Sequence, residues 1–190
     1  RNSIFKRKFK NNLVITSVIF RLEKFPEYVL NYGQVEQKVK ERGEINLQNI
    51  RKAVIDIRQS KLPEVSELGN AGSFFKNPVV SQQQADTLLH LYPKMPYYPQ
   101  ADGNIKLAAG WLIDQAGLKG TAVGGAAVHQ QQALVLINQN NASAADIILL
   151  AELVRSTVKA QFNVNLEHEV RFIGSQGETN LQQEAKNVRA

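Results

Sequence analysis

One segment of this chain is helical by every local rule, and it limits what the rest can become. Ser143 stands where an N-cap is needed, and Asp146 three residues later completes a capping box. Ile147, Val154 and Val158 then recur at helical spacing. A helix with one apolar face must bury that face against a second layer. The apolar stretch Ala133 to Ile137 has the length of a short strand. Strands and helices mix along the chain without the regular βαβ rhythm of a parallel sheet, so the expected fold class is α+β.

Other elements follow from similar signals. Leu13 to Leu22 (LVITSVIFRL) is rich in β-branched and aliphatic residues and reads as a buried strand. Pro26 and the run Asn31, Tyr32, Gly33 mark a loop. Asn46 caps a helix whose apolar positions are Leu47, Ile50, Val54 and Ile57, and Pro63 lies beyond its end. Ser81 opens another, with Gln84 at the capping-box position and Leu88 and Leu89 facing inward. Pro93, Pro96 and Pro99 predict an irregular loop around Tyr92, Tyr97 and Tyr98. Leu107 to Ala116 reads as a short helix ended by Gly117, though Gly110 inside it costs about 1 kcal/mol relative to alanine. Gly120, Gly124 and Gly125 mark turns. Val164 to Ile173 alternates as a last strand, and the final fifteen residues are polar.

Composition removes several classes. Hydrophobic residues are 43% of the 190, enough for a packed core rather than a disordered tail. With no cysteine there is no disulfide framework, thiolate metal site or cysteine nucleophile, which fits a reducing compartment, and the expected location is the cytoplasm. No apolar run approaches the roughly 20 residues of a membrane span, and no signal-peptide pattern opens the chain, so no membrane partner is expected. Arg1, Lys6, Arg7, Lys8 and Lys10 supply five of the net six positive charges. They alternate with Ile4, Phe5 and Phe9, which suits an edge strand better than an arm for nucleic acid, and no nucleic-acid partner is expected. The only methionine is Met95 and the chain starts at Arg1, so the sequence reads as a piece of a longer protein.

The residues able to carry chemistry are few. His90, His129 and His168 are far apart and lack metal-ligand spacing, so no metal is expected. The densest unusual segment is Gly69-Asn70-Ala71-Gly72-Ser73-Phe74-Phe75-Lys76-Asn77-Pro78. Its glycines allow close approach to a ligand, yet on residue types alone the preferred reading is a tight turn entering a strand. In Glu167-His168-Glu169-Val170-Arg171-Phe172, a strand would put Glu167, Glu169 and Arg171 on one face. That face is either solvated or laid over a pocket, and spacing does not choose.

The blocks GNAGSFFKNP, YYPQADG, KLAAGWLIDQAGLKG, GGAAVHQQQALVLIN and LEHEVRFIG, in that order, resemble the UDP-N-acetylenolpyruvoylglucosamine reductase family, and the opening RNSIFK resembles the end of its flavin-binding region. The likeness runs from Arg1 to about Gly174 and corresponds to a C-terminal portion. It implies that residues 1–62 finish a flavin-binding region, 63–163 form a substrate-binding domain, and 164–190 return to the flavin region and end as a tail. It further implies FAD and NADPH as cofactors and UDP-N-acetylglucosamine enolpyruvate as substrate, with NADPH-reduced flavin passing hydride to C3 of the enolpyruvyl ether. By resemblance the catalytic residues are Arg1, Ser73 as proton donor and Glu169. The substrate contacts are Tyr32, Lys61, Asn77, Tyr98, Lys119 and Gln132. With most of the flavin region absent, the chain alone is expected to bind FAD poorly and to be inactive. The rival expectation is a non-catalytic UDP-sugar-binding module.

Overall fold

A computed structural model of the chain describes residues 3–10, 12–31 and 33–189. Arg1 and Tyr32 lie outside these described residues. The centre of the fold is the expected helix, α5 (Ala144–Phe162), whose capping box forms in full: the Asp146 amide donates to the Ser143 hydroxyl at 3.2 Å, and the Ser143 amide donates to the Asp146 carboxylate at 2.9 Å. Beneath it lies an antiparallel four-stranded sheet built from β1 (Asn70–Ser73), β5 (Ala122–Val123), β6 (Ala126–Val128) and β7 (Val135–Asn138), in the order β1-β7-β6-β5. Strand alternation divides the sheet's two faces. Ala126, Val128 and Leu136 join the main core with Leu150, Val154 and Val158 of α5. Ala127, Val135 and Ile137 point the other way and are covered by Leu62 and Leu68.

A second antiparallel sheet, β2-β4-β3, consists of β2 (Val79–Val80), β3 (Tyr97–Pro99) and β4 (Ile105–Leu107). The loop expected around the tyrosines is therefore partly an edge strand. Pro99 is tolerated there because β3 pairs on one side only and its missing N–H removes no bond from an interior ladder. Leu107 ends β4 instead of opening a helix. The helix α4 (Ala109–Gln115) starts two residues later and keeps Gly110 inside it. Gln82–Leu91 forms α3 with Ser81 as its cap, but the Gln84 side chain does not return to the cap. It donates to the Asn163 carbonyl at 3.0 Å and ties α3 to the end of α5.

Leu47–Lys61 forms the expected helix, α2, with the Asn46 side chain accepting from the Asn49 amide at 2.8 Å. It packs on α1 (Val35–Lys40), which the sequence reading did not contain. Together they bury only Val35, Val39 and Ala53, so Leu47 and Val54 of the expected stripe stay exposed.

Three strand expectations are met in part or not at all. Leu13–Leu22 is extended but joins no ladder, and Ile19 and Phe25 remain 97% and 94% exposed. Strand propensity describes how a residue fits a half-buried pleated surface, and among the described residues no neighbouring strand supplies one. The basic arm forms a 3-10 turn at Ile4–Lys6 rather than an edge strand. Val164 to Ile173 does alternate, burying Val164 and Leu166, but it pairs only through an isolated bridge of His168 with Phe75 before bending into β8 (Phe172–Gly174). Strand β9 (Gly177–Thr179) completes a hairpin with β8. The polar C-terminal stretch is not an unstructured tail: Leu181–Arg189 forms α6, which places Leu181 and Ala185 four residues apart against the core.

Candidate functional site

The unusual segment 69–78 is the junction of the molecule. Asn70 accepts the Gly72 amide at 3.0 Å, Gly72 takes φ +73°, and the register of β1 shifts between Asn70 and Ser73. A Cβ at Gly72 would meet nothing within 4 Å, so this backbone lies open to a ligand. Ser73 closes β1 and is exposed. Next to it, Phe74 donates its amide to the Leu134 carbonyl at 2.7 Å and accepts the Glu169 amide at 2.7 Å. Lys76 donates its amide to the Glu167 carbonyl at 2.8 Å, and its ammonium lies 3.2 Å from the Glu167 carboxylate. The segment carrying Glu169 thus pairs with the backbone immediately after Ser73.

The turn carrying Glu169 is fixed locally. The His168 ring contacts the Val170 carbonyl at 2.7 Å through Nδ1 and meets Phe172 edge-on, with ring centroids 4.9 Å apart. The bend after His168 breaks the common face expected for Glu167, Glu169 and Arg171. Glu167 turns to Lys76, while Arg171 reaches Glu178 at 2.8 Å. Glu178 also holds Lys10 at 3.3 Å, and these two cations keep its carboxyl below the ordinary glutamate range, Arg171 more strongly.

A second group gathers around α4. The half-buried Asn77 accepts the Ala109 amide on its Oδ1 at 3.0 Å, supplying the helix cap that Ala108 cannot. Gln132 lies beside Gly110: a Cβ there would stand 3.5 Å from the Gln132 amide oxygen. The turn bearing Gln132 is fixed by its amide, which donates to His129 Nδ1 at 3.2 Å. Lys119 reaches back to Asp114 at 2.7 Å. Tyr98 on β3 faces Lys106 on β4, whose ammonium stands 5.6 Å from the ring centroid. Lys106, first residue of the block KLAAGWLIDQAGLKG, is not among the site positions the resemblance implies. Its signal was available only after β3 was known to pair with β4, because the loop expected at Tyr98 gave it no opposite neighbour.

Residues 63–173 match the family model for the C-terminal domain of UDP-N-acetylenolpyruvoylglucosamine reductase. The chain belongs to that family. Among curated reductases of this name, it is 53% identical over 180 residues to the protein of Pectobacterium atrosepticum, covering 95% of this chain and 52% of that one. It is 52% identical over 183 residues to the Pasteurella multocida protein, covering 96% and 53%. Against the Escherichia coli K12 protein it is 52% identical over 178 residues, covering 94% and 52%. The chain spans about half the length of the curated relatives it matches, and what it matches is a C-terminal portion of the reductase family.

Of the nine site positions implied by the resemblance, Arg1 and Tyr32 fall outside the described residues. Ser73 and Glu169 lie on neighbouring backbone segments joined at Phe74, and Asn77, Tyr98, Lys119 and Gln132 lie around β4 and α4. Lys61 is the exposed last residue of α2; the next residue, Leu62, packs on the sheet face opposite α5. Among the described residues there is no group of three or more His, Asp or Glu able to hold a metal ion. Among them, too, no helix is long and apolar enough to cross a membrane.

Proposed function

We propose that this chain is the substrate-holding part of a flavin-dependent oxidoreductase that reduces UDP-N-acetylglucosamine enolpyruvate to UDP-N-acetylmuramate, with NADPH as reductant, in peptidoglycan synthesis. The reading is supported by the pairing of the segment carrying Glu169 with Phe74, next to Ser73, within the stretch that matches the reductase family. In it the reduced flavin supplies hydride to C3. The Ser73 hydroxyl delivers a proton to C2, where carbanion character develops and a weak acid suffices. Glu169 and Arg1 serve the neighbouring carboxylate as charge builds on it, Arg1 with a fixed guanidinium fork.

The nucleotide end of the substrate asks for donors, and the group around α4 is rich in them. Asn77 has its oxygen committed to Ala109, so its NH2 is the group left for a ligand. Lys106 and Lys119 offer ammonium protons, and Tyr98 a ring against which a base can stack.

A cavity of about 1030 Å3 is lined by the charged Lys76, Glu169 and Arg171 as well as the apolar Leu13, Val79 and Val80. Such a mixed lining suits a charged substrate better than the flat apolar walls an isoalloxazine ring needs. Most FAD contacts are then left to residues outside this chain, with 1–62 finishing that region, 63–163 holding substrate and 164–190 returning to it. The bare apolar residues of segment 13–31 support this division, since a strand pattern left uncovered suits a sheet built mainly by other residues.

Joining the chain to the part of the Pectobacterium atrosepticum protein that it does not cover gives the direct test. NADPH should bleach the fusion's flavin, and anaerobic addition of the enolpyruvyl substrate should restore the oxidised spectrum, except in Ser73→Ala. A fusion that binds the UDP-sugar but carries no flavin would sink the reductase reading and leave a binding module.

A further inference from the structure

We infer that Asp114 is a positioning residue that aims the Lys119 ammonium at a ligand phosphate, using α4 as its ruler. The inference rests on the reading above, in which Lys119 meets a nucleoside diphosphate.

The backbone that bears Lys119 is fixed on both sides. Gly117, at φ +71°, ends α4 and donates its amide to the Asp114 carbonyl at 2.9 Å, and Leu118 is buried and donates to Ile113 at 3.2 Å. Gly120 donates to the Val128 carbonyl at 2.9 Å, and Thr121 to Leu118 at 3.0 Å. A Cβ at Gly120 would fall 2.1 Å from the Gln130 side-chain nitrogen, so the turn is closed around that glutamine. The Lys119 Cα is therefore held firmly while its four methylenes are not, and the rotamer freedom of a long side chain is what a ligand must remove.

One contact removes it in advance. The Asp114 carboxylate holds the Lys119 ammonium at 2.7 Å, and both side chains are only partly exposed, at 43% and 32%. An ammonium has three donors, so two protons remain after Asp114 takes one. Gly110 and Asp114 are four residues apart and share a face of α4, and Gln132 lies against Gly110. Gln132 and the Asp114–Lys119 pair are consequently set one helical turn apart, with Asn77 at the head of the same helix. Three donors from three loops are thereby arrayed along one short helix.

The alternative effect has the opposite sign, which makes the proposal testable. If Asp114 were merely a negative charge near the site, removing it would strengthen binding of an anion. The experiment is titration calorimetry of the 190-residue chain with UDP and, separately, with uridine, which lacks the diphosphate. Asp114→Ala is expected to weaken UDP about two- to tenfold, the cost of immobilising one long side chain on binding, and to leave uridine unchanged. Asp114→Asn, which keeps an oxygen acceptor, should fall between. In a Lys119→Ala background, Asp114→Ala should cost nothing further. Unchanged or tighter UDP binding in Asp114→Ala would overturn the proposal, as would parallel weakening of UDP and uridine with a lowered melting temperature. A wild-type chain that binds neither ligand would overturn the nucleotide reading itself, and this inference with it.

Discussion

Asn77 carries two duties that a single pair of substitutions separates. Its oxygen caps α4 by accepting the amide of Ala109, a residue with no exposed surface, while its nitrogen is the part proposed for substrate. Asn77→Ala deletes an N-cap, costing about 1 kcal/mol, and leaves a buried amide without a partner, which raises the total to roughly 2 kcal/mol. For a domain of this size that is a fall in melting temperature of about 4–8 °C. Asn77→Asp keeps the acceptor and puts negative charge at a helix start, so stability should hold or rise by a few tenths of a kcal/mol. Both variants lack the NH2 donor, and aspartate additionally repels a diphosphate, so both should lose UDP affinity, Asp more than Ala. Thermal denaturation paired with UDP titration reads both duties. An Asn77→Asp protein as unstable as Asn77→Ala would refute the capping argument, and one that bound UDP at wild-type strength would refute the donor role.

Gly125→Ala would force a Cβ to within 2.2 Å of the Asn140 carbonyl oxygen and 2.6 Å of the Ala142 nitrogen, both backbone atoms, so destabilisation of about 3 kcal/mol is expected in chemical denaturation. Gly174→Ala meets nothing nearer than 3.8 Å and should change stability far less. The Asp146 carboxyl is held below the ordinary aspartate range, first by the Ser143 amide and next by the Gly125 amide. Its contribution to stability is present above the unfolded-state pKa and is lost as pH falls through the lower folded value, so Asp146→Asn should flatten the acid limb of a melting-temperature profile and leave its slope above pH 6 unchanged. Phe75, 1% exposed against Phe74, should cost about 3–5 kcal/mol as alanine in equilibrium unfolding.

The parts of this fold readable in advance are those set within a few residues. Ser143 with Asp146, Asn46 and Ser81 identify helix starts because an N-cap bond spans only three residues. The turn glycines were legible for the same reason. Leu13–Leu22 misled because a β-branched, aliphatic run records what a segment is suited to pack against, and among the described residues no strand pairs with it. The C-terminal helix was hidden because three apolar residues, Leu181, Ala185 and Val188, dock it while the rest are polar. Ser73 and Glu169 could be nominated only through family likeness. Their juxtaposition depends on pairing between segments more than ninety residues apart, and no local periodicity encodes that.

The bridge between Phe75 and His168 also bears on the order in which the molecule assembles. The helices and the β5–β6 hairpin depend on near neighbours and can form early, whereas joining residues 74–76 to 167–169 closes a long loop whose entropy must be met before its contacts repay it. During synthesis Ser73 leaves the ribosome long before Glu169 does, so no intermediate lacking residues 167–169 can bring their two segments together. A nascent chain interrupted after α5 therefore already holds Asn77, Tyr98, Lys119 and Gln132 around β4 and α4, and the pairing of residues 74–76 with 167–169 is what it still lacks.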